Sequence, residues 1–217
     1  MKGRSVKCIF FDWDGCLADT LGLWTAEYRQ ALARRGIEAD QAEICRELFT
    51  RWAGPSCFGV EDGDAFSEEI RRGLEAVAGR TELNEGAADT LKKLKNLGLT
   101  VGILTTSRRN FVQPVLHRHR LDRIVDILLT IEDVGNYKPH PEIVEKALSV
   151  LSVARDEALL VGDSSVDIEA GSGAGVATVL YFPEHNKPFY RLDPPADSQP
   201  DFVIRGFPEL FEIVNGS

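Results

Sequence analysis

Asp12 and Asp14 stand one residue apart in "FFDWDGCLADT" (10–20), directly after an apolar run and directly before a glycine. Like charges crowded at the end of a buried strand raise each other's pKa unless something positive shares them. Three further groups of reactive side chains recur along the chain: Thr105, Thr106 and Ser107 after "LTVGIL" (99–104), Lys138 in "NYKPHPE" (136–142), and Asp163 with Asp167 in "GDSSVD" (162–167). A hard divalent cation with oxygen ligands, Mg²⁺ above all, is the usual way to hold several carboxylates together, and Lys138 would offset the remaining charge. Singly, each group has an ordinary reading: strand-end and turn acids for Asp12 and Asp14, a surface lysine for Lys138, a β-branched strand residue for Thr105, a dipole-stabilising acid at a helix start for Asp167. Phe10, Phe11 and Trp13 around the first acid pair argue against solvated acids there. His117, His119, His140 and His185 show no spacing that demands a metal.

The elements that would bring these groups together are short apolar, β-branched runs: "VKCIFF" (6–11), "LTVGIL" (99–104), "VDILL" (125–129), "ALLV" (158–161), "VATVL" (176–180) and "FVI" (202–204). Near-continuous apolar strands separated by helical patterns predict an α/β fold, a Rossmann-like parallel sheet with helices on both faces. Helices are expected over about 85–97, with Leu91, Leu94 and Leu97 on one face before Gly98, and over 139–151, with Pro141 near its start. In an open parallel sheet, ligands bind beyond the carboxyl ends of the strands, and four consecutive strands deliver acid, hydroxyl, ammonium and acid to that edge.

The interval 20–83 breaks the alternation with three helical patterns and no convincing strand. Trp24, Tyr28, Ala31 and Leu32 share one face before Gly36, "DQAE" (40–43) resembles a capping box, and Phe66, Ile70, Leu74 and Val77 align before Gly79. Residues 20–83 are therefore expected to form a small helical insertion, and 1–19 with 84–217 the α/β core.

Composition narrows the function classes. The chain has 217 residues, 43% of them hydrophobic, which suits a folded domain with an insertion rather than a disordered chain. A formal net charge of −9 disfavours nucleic acid and anionic membrane as partners. The apolar stretches are too short to span a bilayer, so a cytoplasmic location is expected. Cys8, Cys16, Cys45 and Cys57 form no CxxC pair and read as reduced thiols.

With these residues in order, the chain resembles the haloacid dehalogenase superfamily of phosphatases, of the phosphoglycolate phosphatase-like kind. "DWDGCLADT" resembles the first motif, Thr105 the second, Lys138 in "KPHPE" the third, and "GDSSVDIEAGSGAG" (162–175) the fourth. The family also carries a helical cap between its first and second motifs. Two departures stand out: Thr106 occupies a position where asparagine is common, and the cap is short. The resemblance implies Mg²⁺ held by Asp12, Asp163 and the backbone carbonyl of Asp14, with Asp167 behind them. It makes Asp12 the nucleophile that forms an aspartyl-phosphate and Asp14 the general acid and base. Thr105, Thr106 and Lys138 would bind the phosphoryl group of a small phosphorylated metabolite, with Lys138 also paired to the nucleophile.

Two other functions compete. A phosphosugar mutase of the β-phosphoglucomutase type would need the cap to hold a bisphosphate, and eight cap arginines are too many to single one out. A non-catalytic phospho-receiver domain also combines acids, a hydroxyl and a Lys-Pro, but it would carry its phosphorylated aspartate on a separate strand and would lack the insertion. The sequence leaves the oligomeric state open. Arg51 and Trp52 in "RWAGPSC" (51–57) offer a cation and an indole beside a glycine, as candidates for substrate specificity. The segment "YFPEHNKPFYRL" (181–192) starts on the catalytic side, where Lys187, Tyr190 and Arg191 could meet an anion. The competing expectation is that the preceding strand lies at the sheet edge and the segment covers it.

Overall fold

The computed structural model describes residues 6–50, 54–189 and 199–216. Its centre is a six-stranded sheet of β1 (Cys8–Phe11), β2 (Thr100–Leu104), β3 (Ile127–Leu129), β4 (Ala158–Gly162), β5 (Ala177–Tyr181) and β6 (Phe202–Ile204), in the order β3-β2-β1-β4-β5-β6. Every neighbouring pair is parallel. Alternate side chains serve opposite faces, as the pleat requires. Ile9 and Phe11 of β1 join one apolar cluster, Cys8 and Phe10 the other.

Helices cover both faces. Leu91 and Leu94 of α4 (Ala87–Asn96), Phe111, Val112 and Val115 of α5 (Arg109–Arg118) and Leu210 of α8 (Leu210–Asn215) pack on the first cluster. On the other side lie Ile143, Val144, Ala147 and Leu148 of α6 (Glu142–Leu151), with Ala170 and Ala174 of α7 (Ser165–Ala174). The α/β expectation holds, with two corrections. Leu97 does not join the buried face: α4 ends at Asn96, Gly98 turns the chain at φ +82°, and Leu97 is left 58% exposed. The strand after the fourth motif is not at the edge either, because β6 pairs outside β5.

Between β1 and β2 the described residues form helices and no strand: α1 (Leu21–Ala33), α2 (Gln41–Ile44) running into a π-helical turn (Cys45–Thr50), a short 3₁₀ turn (Pro55–Phe58), and α3 (Gly63–Val77). Asp40 and Asp62 cap α2 and α3 by accepting hydrogen bonds from the backbone N–H groups of Glu43 and Ala65. Ala31, Leu32, Ile44, Phe66, Ile70 and Leu74 belong to the same apolar cluster as one face of the sheet. At the seam, Arg108 pairs with Glu68 of α3 at 2.5 Å, and Arg118 donates to the carbonyls of Gly79 and Thr81.

Candidate active site

The parallel register aligns the strand ends, so the residue after each strand arrives at one rim. Asp12 follows β1 and its N–H donates to the Val161 carbonyl at 2.8 Å; Thr105 follows β2 and donates likewise to Leu129 at 3.0 Å. Lys138, on the loop after β3, donates to Asp12 Oδ1, to Asp167 Oδ1 at 2.6 Å and to the Leu104 carbonyl at 3.1 Å. An ammonium has three protons, so all three are engaged. Asp167 is fully buried and also caps its own helix, its Oδ2 accepting from Ser164 Oγ at 2.8 Å and from the Ser164 N–H at 3.2 Å. It thus both caps α7 and contacts Lys138.

Asp12, Asp163 and Asp167 present carboxylate oxygens within 4.8 Å of one another. Asp163 Oδ2 is buried with no hydrogen-bond partner among the described residues. A buried carboxylate oxygen without a partner is costly, and an oxygen-only acidic donor set with one unpartnered oxygen suits a hard cation such as Mg²⁺. The turn that passes beside it is built around Gly15, whose φ of +71° disfavours any side chain and whose Cβ would lie 2.0 Å from Asp163 Oδ2. Asn84 and Asn186 brace this turn, donating to the Gly15 carbonyl at 3.3 and 2.9 Å, while Asn84 also reaches the Cys16 carbonyl at 2.6 Å. His185 Nε2 lies 3.0 Å from Asn84 Oδ1.

Burial dominates the electrostatics. It raises the Asp12 carboxyl, against the opposing charge of Lys138 and with Asp167 and Asp14 adding to it. It also raises Asp163 well above the usual carboxylate range, reinforced by Asp167 and Asp12. Burial works against the Lys138 ammonium, but Asp12 and Asp167 outweigh it and hold the proton on. Asp14 is set apart from this cluster by its partners. Its Oδ1 accepts from Thr20 Oγ1 at 2.8 Å and from the Trp24 indole N–H at 2.7 Å, and its Oδ2 from Ser107 Oγ at 2.6 Å. Burial raises this carboxyl too, opposed by those three donors.

A cavity of about 320 Å³ opens between the sheet rim and the helical segment. Asp12, Asp14, Lys138 and Asp163 line it from the rim, with Trp24 and Tyr28 of α1 and Ser67, Ile70 and Arg71 of α3 from the helical segment. Thr106 borders the cavity, whereas Thr105 is fully buried and its Oγ1 accepts from the Ser107 N–H at 2.9 Å. Arg51 and Trp52 lie outside the described residues, as do Tyr190 and Arg191; Lys187 pairs with Glu184 at 2.6 Å. Of the segment after β5, Asn186 and His185 reach the Gly15 turn and its brace. Sequence reasoning missed Asn84, Asn186 and Arg71, and it missed Thr20 and Trp24 as partners of Asp14, though their spacing of four on α1 and its cap places them one helical turn apart.

Residues 9–181 match the family model of haloacid dehalogenase-like hydrolases. The chain is 40% identical over 215 residues to pyrophosphatase PpaX of Bacillus cereus, covering 90% of this chain and 95% of the relative. A PpaX of Bacillus pumilus is 30% identical, with 99% of each chain covered. Among solved structures, a haloacid dehalogenase-like hydrolase from Bacteroides fragilis superposes with a TM-score of 0.82 at 25% identity, over 95% of this chain and all of the other. CbbY from Rhodobacter sphaeroides, solved in complex with phosphate, shares the fold at a TM-score of 0.76 and 23% identity, over 94% and 96% of the two chains. The family model spans most of the chain and the curated relatives it matches are named as pyrophosphatases, so this is a phosphatase that belongs to the haloacid dehalogenase-like hydrolase family, not a non-catalytic receiver.

Proposed function

We propose that this phosphatase is Mg²⁺-dependent and hydrolyses a small phosphorylated compound through an aspartyl-phosphate on Asp12. The observation that carries the reading is the unpartnered, buried Oδ2 of Asp163 beside the Asp12 carboxylate. Residues 20–83 act as the cap, and 1–19 with 84–217 as the core. Asp12, Asp163 and the backbone carbonyl of Asp14 hold the cation, which when bound neutralises charge on the phosphoryl oxygens. Lys138 fixes the orientation of Asp12 through Oδ1. An Asp12 carboxylate oxygen attacks phosphorus, the bond to the leaving oxygen breaks, and Asp14 delivers a proton to that oxygen. Water then attacks phosphorus, Asp14 takes its proton, and the bond from Asp12 to phosphorus breaks, restoring both groups. Thr106, with Thr105 behind it, contributes hydroxyl contacts to the phosphoryl group at the rim. The relatives' name makes inorganic pyrophosphate the first compound to test.

The test is phosphate release from a panel of pyrophosphate, glycolate phosphate, sugar phosphates, nucleotides and p-nitrophenyl phosphate, with Mg²⁺ and with chelator. Turnover should require Mg²⁺, and Asp12→Asn, whose amide cannot attack phosphorus, should lower kcat by about a thousandfold or more. An Asp12→Asn protein with most of its activity would overturn the mechanism.

A further inference from the structure

We propose that Arg71 forms a subsite for a second anionic group on the substrate, so that the enzyme acts on compounds carrying a phosphoryl or carboxylate group a short distance from the phosphoryl group that reacts. This inference rests on the phosphatase reading above.

Arg71 sits on α3 where an arginine is out of place. Ser67, Ile70, Arg71 and Leu74 recur at helical spacing, and Phe66, Ile70 and Leu74 of the same helix are buried in the core. A guanidinium on that inward stripe gives up part of its hydration, which is costly without a partner. The other cap arginines are accounted for. Arg34 and Arg35 pair with Glu69, Arg46 with Glu47 and Arg72 with Glu68. Arg29 and Arg80 are exposed and do not line the cavity, and Arg51 lies outside the described residues. Glu75, one turn along α3, lies 3.7 Å from Arg108. Among the described residues, Arg71 therefore lines the cavity with no carboxylate in ion-pair contact.

The cavity's charge points the same way. Its described lining holds two cations, Lys138 and Arg71, against Asp12, Asp14, Asp163 and Asp167. Lys138 has all three protons engaged by protein acceptors, so it has none to spare for a distant anion. Tyr28 stands close enough to Arg71 to feel its charge, and burial keeps its phenol protonated, with a pKa pushed up to about 12. A hydroxyl donor and a planar guanidinium on the wall facing the acids suit a carboxylate or phosphoryl group, which Arg can grip with two parallel hydrogen bonds. At about 320 Å³ the cavity is at the small end for ligand sites, so the two anionic groups must be joined by a short bridge.

Two arms test this separately from the phosphatase reading. In the first, binding to the Mg²⁺-loaded protein is measured by calorimetry for methylenediphosphonate, phosphonoacetate and methylphosphonate, none of which turns over. One or both of the first two should bind about tenfold tighter than methylphosphonate, and which one does identifies the second anion as phosphoryl or carboxylate. Arg71→Ala should abolish that advantage, and Arg71→Lys should restore part of it. In the second arm, Arg71→Ala should lower kcat/KM for pyrophosphate or glycolate phosphate about tenfold, mainly through KM, with p-nitrophenyl phosphate changed less than twofold. Equal binding of all three phosphonates by the wild-type protein, or equal losses for both substrate types in the variant, overturns the subsite. Tight, Arg71-dependent binding with no turnover of any ester would uphold the subsite and sink the phosphatase reading instead.

Discussion

Asp14 receives three hydrogen bonds from side chains, two of them from Thr20 and Trp24 at the start of the cap. Trp24 does not touch the reacting atoms in the proposed mechanism; it fixes the acid that does, and its ring stacks on Tyr28 with centroids 6.1 Å apart. Trp24→Phe keeps the stack and removes the N–H. The expected result is a kcat about tenfold lower with KM little changed, and a steeper dependence of rate on leaving-group pKa, measured over a series of aryl and alkyl phosphates. A uniform loss across the series would reduce Trp24 to packing. Asp12 and Asp163 stood out in the sequence because each comes directly behind a buried strand, and Lys138 and Asp167 because they follow in a fixed order on the segments after the third and fourth apolar runs. Ser107 lies 93 positions from Asp14, and Asn186 lies 171 from Gly15, and no spacing rule links such pairs. Arg71 was hidden for a different reason: among the described cap arginines it alone lines the cavity, and only three-dimensional neighbours reveal that.

The helical elements between β1 and β2 share a continuous apolar cluster with one face of the sheet. Leu74 of α3 is 2% exposed within it. Leu74→Ala should therefore destabilise the protein by about 2–5 kcal/mol, and urea unfolding followed by fluorescence and by circular dichroism should still show one coincident transition. Two separated transitions would mean that the cap unfolds independently. Two helical patterns of this region were legible because Tyr28 and Leu32, and Phe66, Ile70 and Leu74, recur at helical spacing before a glycine, and the second of the three from the capping residues of "DQAE". The strands were legible as apolar runs, although β2, β4 and β5 each begin or end one residue away from the run. Leu97 shows where pattern fails: the periodicity continues past Asn96, but Gly98 turns the chain out of register and the leucine faces water.

Across the whole molecule, acids buried at the rim oppose the acids at the surface. Burial raises Asp12, Asp14 and Asp163, so the folded protein binds protons that the unfolded chain releases. Their favourable contribution is complete below the unfolded carboxylate pKa near 4 and is lost as pH rises through the raised folded values, about 7 for Asp12. Glu68, Glu69, Glu142 and Glu184 are lowered, and their contribution is lost only as pH falls below the ordinary glutamate range. In chelator, the melting temperature should fall between pH 5 and pH 8, and Mg²⁺ should raise it more at pH 8 than at pH 5, as scanning calorimetry would show. A flat profile, or equal Mg²⁺ shifts at both pH values, would contradict the raised rim carboxylates. The sheet class was legible from the alternation of runs and helical patterns; β6 outside β5 was not, because "FVI" is too short to advertise a partner. The brace of Asn84, Asn186 and His185 on the Gly15 turn bears on how the chain is made. During vectorial synthesis the turn beside Asp12 and Asp14 leaves the ribosome 171 positions ahead of Asn186, which donates to its Gly15 carbonyl. A ribosome-bound chain stalled before Asn186 would therefore hold the turn beside Asp12 and Asp14 without one of the donors that brace it.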